Sequence, residues 1–124
     1  METILAQQQN LSFRAVTISD INTIVKLYQQ QKTTANSALT NQFGLPFYVA
    51  ELDSKIVGYS YANATTENDY SLNTIVDVSF SKYSIHESFI RESELFFKKE
   101  WQKEHYKNLS ASIFHLVNWL NNSN

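Results

Sequence analysis

The chain has 124 residues, 43% of them hydrophobic and 14% aromatic, with ten basic and twelve acidic side chains and a formal charge of −2. That describes one domain, able to bury about two thirds of the surface its unfolded chain exposes. Beyond a few on one helix no segment concentrates Lys and Arg, so no electrostatic footprint for nucleic acid is expected, and the absence of cysteine excludes disulfides, thiolate chemistry and zinc-thiolate sites.

Residues 1–10, "METILAQQQN", read as a polar lead-in without a basic n-region or an apolar run of about seven. The chain has no apolar run of about 18 residues either, so a soluble cytoplasmic protein with no membrane contact is expected. "LSFRAV" (11–16) alternates Leu11, Phe13 and Ala15 against Ser12, Arg14 and Val16, the period of a half-buried strand. A helix is expected next, with Ser19 or Asp20 as its N-cap and Ile21, Ile24, Val25 and Tyr28 on one face. Residues 32–46 lack a sustained period and hold the only proline and one of two glycines, which predicts loop with a helical turn.

"FYVAEL" and "KIVGYSYANA" read as paired strands joined at Asp53 and Ser54, both turn formers. "TENDYS" is the next turn and "NTIVDVSF" (73–80) a strand with Ile75, Asp77 and Ser79 on one face and Val76, Val78 and Phe80 on the other. A long amphipathic helix follows from Glu87 to Glu104, with Phe89, Ile90, Phe96, Phe97 and Trp101 on its apolar side, either core or a partner groove. "YKNLSASIF" (106–114) is expected as a last strand and "HLVNWLNNSN" as a short terminal helix. Sequons beginning at Asn10, Asn63, Asn108 and Asn121 are read as chance products of an Asn-rich chain.

The junction "SFSKYSIHESFIRES" (79–93) occupies the place where many nucleotide-binding folds close a glycine-rich backbone around phosphate. It contains no glycine, and none occurs anywhere after Gly58. His86, His105 and His115 do not form a metal set, and "HESFI" is not His-Glu-x-x-His because position 90 is Ile. No Ser-His-Asp or Walker-type pattern is present.

Taken together, "FRAVTISDINTIVKLYQ", "FYVAELDSKIVGYSYA" and "TIVDVSF" resemble the opening strand and helix, the central hairpin and the fourth strand of the GNAT superfamily of N-acetyltransferases. The phosphinothricin acetyltransferase branch is the most similar, over residues 12–113. The resemblance implies an α+β fold, a mixed and mostly antiparallel sheet flanked by helices, here without the usual C-terminal hairpin. It implies acetyl-CoA as cofactor, with its pantetheine arm on the strand-four backbone at Val78, Ser79 and Phe80. The pyrophosphate would lie at the start of the long helix, where Ser84, His86 and Ser88 stand as substitute donors or as simple caps.

Asp77 matches a strand-four carboxylate used as general base through water, one methylene shorter than the family's Glu; the bland alternative is a carboxylate facing solvent. "ASIFHLVNWL" is similar, in an alternative register, to the family's fourth helix, without the Tyr that often acts there as general acid. Tyr48, Tyr59 and Tyr61 read as ordinary strand residues or as pocket lining. With no phosphate-loop glycine, and with Glu87 and Glu92 only partly countered by Lys82, His86 and Arg91, the expected function is an acetyltransferase-like binding or regulatory domain with weakened or lost acetyl-CoA binding. The alternative is an active N-acetyltransferase acting on a small-molecule or peptide amine. An uncovered strand at Leu109–Ile113 would pair with a second copy or a dedicated partner.

Overall fold

A computed structural model describes residues 11–32, 38–66, 69–77, 85–100 and 109–122. In chain order they form β1 (Leu11–Ala15), a 3-10 turn (Ile18–Asp20), α1 (Ile21–Lys32), a second 3-10 turn (Asn41–Phe43) and β2 (Leu45–Leu52). Next come β3 (Lys55–Thr66), β4 (Asp69–Val76), α2 (Ile85–Glu100) and α3 (Leu109–Asn122). The four strands make one antiparallel sheet in the order β1-β2-β3-β4, so the architecture is α+β.

Pairing register divides the side chains between two faces. Val49, Tyr59 and Ile75 lie abreast on one, and Tyr48, Ser60 and Thr74 on the other. The first face is covered by α1 and α3, whose Ile24, Tyr28, Leu109, Ile113 and Val117 join Val49, Tyr59 and Ile75 in the main core. The second lies under α2: Phe89 packs with Ala50 and Val76, and its ring sits 5.1 Å from Phe13 and 5.9 Å from Tyr48. Phe97, from the same helix, meets Phe47 at 5.0 Å and Tyr70 at 4.7 Å. The β2–β3 turn places Asp53 at φ 55° and Ser54 at φ 66°, the two positive values that suit the right-handed twist of a tight hairpin.

The expected last strand is not present: from Leu109 onward its residues belong to α3, and positions 106–108 lie outside the described residues. Leu109, Ile113 and Val117 are buried at a spacing of four, with Leu116 and Leu120 packed beside them. That is one helical stripe running through the expected strand–helix boundary, and it outweighs the short alternation in "YKNLSASIF". The alternative helical register of "ASIFHLVNWL" agrees with this arrangement. A helix spends its backbone groups on itself, so the strand edge expected at Leu109–Ile113 to recruit a partner does not exist.

Other boundaries move less. The strand expected at 73–80 begins at Asp69, inside the expected "TENDYS" turn, and ends at Val76. The long helix starts at Ile85 rather than Glu87 and is described as far as Glu100. Among the described residues no helix is long and apolar enough to cross a membrane.

Asp20, expected as an N-cap, is instead buried at 5% exposure and reaches back to its own turn. Its carboxylate accepts the Thr17 backbone N–H at 2.7 Å, the Thr17 hydroxyl at 3.0 Å, and Nη1 and Nη2 of Arg14 at 2.8 and 2.9 Å. Arg14 also donates through Nε and Nη2 to Glu51 at 3.2 and 3.1 Å, joining β1, β2 and the entry to α1. The Arg14 hydrogen bonds, assisted by those of Thr17, hold the Asp20 carboxyl at about 2, below its ordinary 3.8.

Because the folded state lowers this pKa, the contribution is complete above 3.8 and is lost as pH falls toward 2. Asp20→Asn is expected to cost about 2 kcal/mol at neutral pH. In urea unfolding, the gap between variant and parent should narrow across that acid window; a gap independent of pH there would refute the assignment.

Candidate functional site

The junction that the sequence singles out is positioned at the end of β4. Asp77 directly follows the strand, half-buried, and its backbone N–H donates to the Val57 carbonyl at 2.8 Å. Val78, Ser79, Phe80 and Ser84 lie outside the described residues, as does the side chain of His86. Ser88 is half-buried in the first turns of α2. Glu87 is exposed in the first turn and Lys98 and Lys99 occupy the last, so the helix carries its own charges at both ends of its dipole. Of the aromatic stripe, Phe89 and Phe97 are core, Phe96 stacks on Tyr48 at 4.7 Å, and Ile90 is partly exposed.

A second constellation was not visible as a motif. The Asn41–Phe43 turn, strands β3 and β4 and the start of α3 enclose an open cleft of about 450 Å³. Asn41, Gln42, Asn63, Asn73 and Ser110 supply its polar wall, above Tyr61 and Ile113. Asn73 Nδ2 donates to Asn63 Oδ1 at 2.9 Å, and Asn63 Nδ2 donates to the Gln42 carbonyl at 3.2 Å. The amides thus form a relay from β4 across β3 to the turn.

That turn is held from three sides. Phe43 is fully buried, edge-on to Tyr28 at 5.1 Å. Gly44 sits at φ +74°, and a Cβ there would come within 2.7 Å of the Ala62 carbonyl and of the Tyr61 ring. Only glycine permits this approach of the turn to β3. On the far side, Asn121 near the end of α3 accepts the Leu39 N–H and donates to the Leu39 carbonyl, both at 2.9 Å. Two sequons therefore contain working side chains, Asn63 in the relay and Asn121 in the clamp. The available signal was Asn63 and Asn73 inside strands, where Asn is disfavoured.

Behind the cleft lie Tyr28, Tyr59 and Tyr61, with the Tyr59 and Tyr61 rings 5.6 Å apart. Burial pushes all three phenols up, so each stays neutral. The Tyr59 hydroxyl is fully buried and has no hydrogen-bond partner among the described residues. Among the described residues no group of three His, Cys, Asp or Glu side chains is placed to hold a metal ion. His115 is exposed on α3, edge-on to Phe114, and His105 lies outside the described residues.

Compared with protein-family models, curated proteins and solved structures, the chain matches none.

Two substitutions test this construction by denaturant unfolding. Gly44→Ala is expected to destabilise by about 3 kcal/mol, since it adds a left-handed φ to a backbone collision. Tyr59→Phe removes a buried hydroxyl with no partner among the described residues, and is expected to be neutral or stabilising by about 1 kcal/mol. A clear loss of stability in Tyr59→Phe would show that the hydroxyl is hydrogen-bonded.

Proposed function

We propose that the chain is a GNAT-like domain that binds rather than acetylates, an acetyltransferase-like protein whose acetyl-CoA site is weakened or lost. The order strand, helix, turn, hairpin, strand, long helix supports the likeness, as does the antiparallel run of β1 to β4.

The observation that carries the loss is at the N-terminus of α2. A pyrophosphate needs bare backbone N–H groups and an unopposed positive helix end. Here Glu87 already occupies the first turn, and no glycine follows Gly58 to let the backbone close on a ligand. Each phosphate charge placed about 4 Å from that carboxylate costs about 1 kcal/mol in water and several times more where water is excluded. A protein partner at the C-terminal end would meet helix α3, which exposes Phe114 on one flank of its buried stripe and Trp119 on the other, not a strand edge.

The second reading, an active N-acetyltransferase for a small-molecule or peptide amine, is favoured by the half-buried Asp77, whose backbone is anchored to Val57 at the end of β4. In that reading Asp77 would take the amine proton through water as the amine attacks the acetyl carbonyl, the C–S bond would break, and the leaving CoA thiolate would take a proton from water.

Calorimetric titration separates the two, with the oligomeric mass measured in the same buffer. The expected result is a folded protein that gives no heat with acetyl-CoA or CoA at about 1 mM. Micromolar binding would overturn the proposal, and Asp77→Ala should then lower kcat by about 100-fold or more on an accepted amine.

A further inference from the structure

We infer that the cleft between the Asn41–Phe43 turn, β3, β4 and the start of α3 binds a neutral polyhydroxylated ligand, of one or two sugar rings. The inference is independent of acetyl-CoA and holds under either reading above.

The argument begins with charge. Among the described residues, none that lines the cleft is Asp, Glu, Lys, Arg or His. The one titratable group among those described lining residues, the Tyr61 phenol, is held neutral by burial and by the nearby Tyr28. Against the described wall a charged ligand would leave water without a counter-charge, a cost that hydrogen bonds to amides only partly offset. An apolar ligand would instead strip water from five amide and hydroxyl side chains and return nothing.

Hydrogen-bonding capacity points the same way. A carboxamide presents two donors and a two-lone-pair acceptor, and a hydroxyl donates and accepts. The relay uses one donor each of Asn73 and Asn63, which leaves the Asn73 oxygen, the second N–H of both amides, and Asn41, Gln42 and Ser110 for a ligand. Sugar hydroxyls, each donor and acceptor at once, match that set. The C–H face of a sugar ring matches the apolar base at Tyr61 and Ile113.

The site is also built in advance. Gly44, the Asn63 bond to the Gln42 carbonyl and the Asn121 clamp on Leu39 hold the turn before any ligand arrives, so little ordering remains to oppose binding. The volume of about 450 Å³ lies within the range of small-molecule sites. A peptide needs free strand backbone; β3 is paired on both sides only as far as Ala62, and at Asn63 and Ala64 it pairs with β4 alone, so a peptide probe is one arm of the test.

The test is a two-dimensional ¹H–¹⁵N spectrum of the labelled full chain, read at the side-chain amides. The probes are glucose, N-acetylglucosamine and maltose, with glucosamine and glucuronate as charged analogues and N-acetyl-dialanine amide as a peptide. Saturable shifts of the Asn63 and Asn73 amides by a neutral sugar are expected, with charged analogues about tenfold weaker or more. Asn73→Ala should weaken that sugar about tenfold. Because it also breaks the bond to Asn63, Asn41→Ala, at an exposed position, is the second variant; it should weaken binding with an unchanged Tm. The inference falls if no neutral sugar moves these amides at about 50 mM, if a charged analogue binds as tightly, or if only the peptide binds.

Discussion

From Val57 to Ala62 every residue of β3 is buried, and it is this two-sided burial that the remaining elements serve. A strand covered on both faces needs paired neighbours along both edges and a helical layer above and below. β2 and β4 supply the first, and α1 with α3 on one face and α2 on the other supply the second. The strand also carries the residues that tune the layers. At Gly58 a Cβ would stand 2.9 Å from the Ile75 carbonyl, so glycine sets how closely β4 approaches. At Ser60 the hydroxyl lies 2.6 Å from Ser93 on α2 and 3.0 Å from Thr74 on β4, a short hydroxyl chain joining helix and sheet.

Polar groups hold the periphery together by different means at different ends. Around β1 the agent is ionic: Arg14 spans two carboxylates, one of them buried, and its fork geometry suits both. Around the cleft the agents are neutral amides, which join the same kinds of element without burying charge. A neutral network has no pH window of its own, whereas the Arg14 network does.

This division bears on function. The α2 terminus, where the family likeness would seat a pyrophosphate, already has a carboxylate in its first turn. The cleft at Asn73, by contrast, has about 450 Å³ of space and no charged side chain among its described lining residues. Both features are the basis of the proposals above, a domain that binds a neutral ligand rather than one that turns over an anionic cofactor.

Long periodic stretches were legible from residue order alone. The α1 stripe, the Asp53–Ser54 turn and the apolar side of α2 follow from local spacing and turn chemistry, because neighbouring residues decide them. The C-terminal strand was misread because nine residues of weak alternation cannot compete with a stripe, Leu109, Ile113 and Val117, whose meaning depends on a surface to pack against. Asp20 looked like a cap because its partner Arg14 belongs to another element. Asn63, Asn73 and Asn121 carried no motif, since an amide becomes part of a site only when distant segments converge on it. Sequence by itself determined the α1 stripe, the β2–β3 hairpin and the apolar side of α2. Tertiary structure alone decided where the uncharged amides meet, because that depends on Gly44 letting a turn lie against β3 and on α3 reaching back to Leu39.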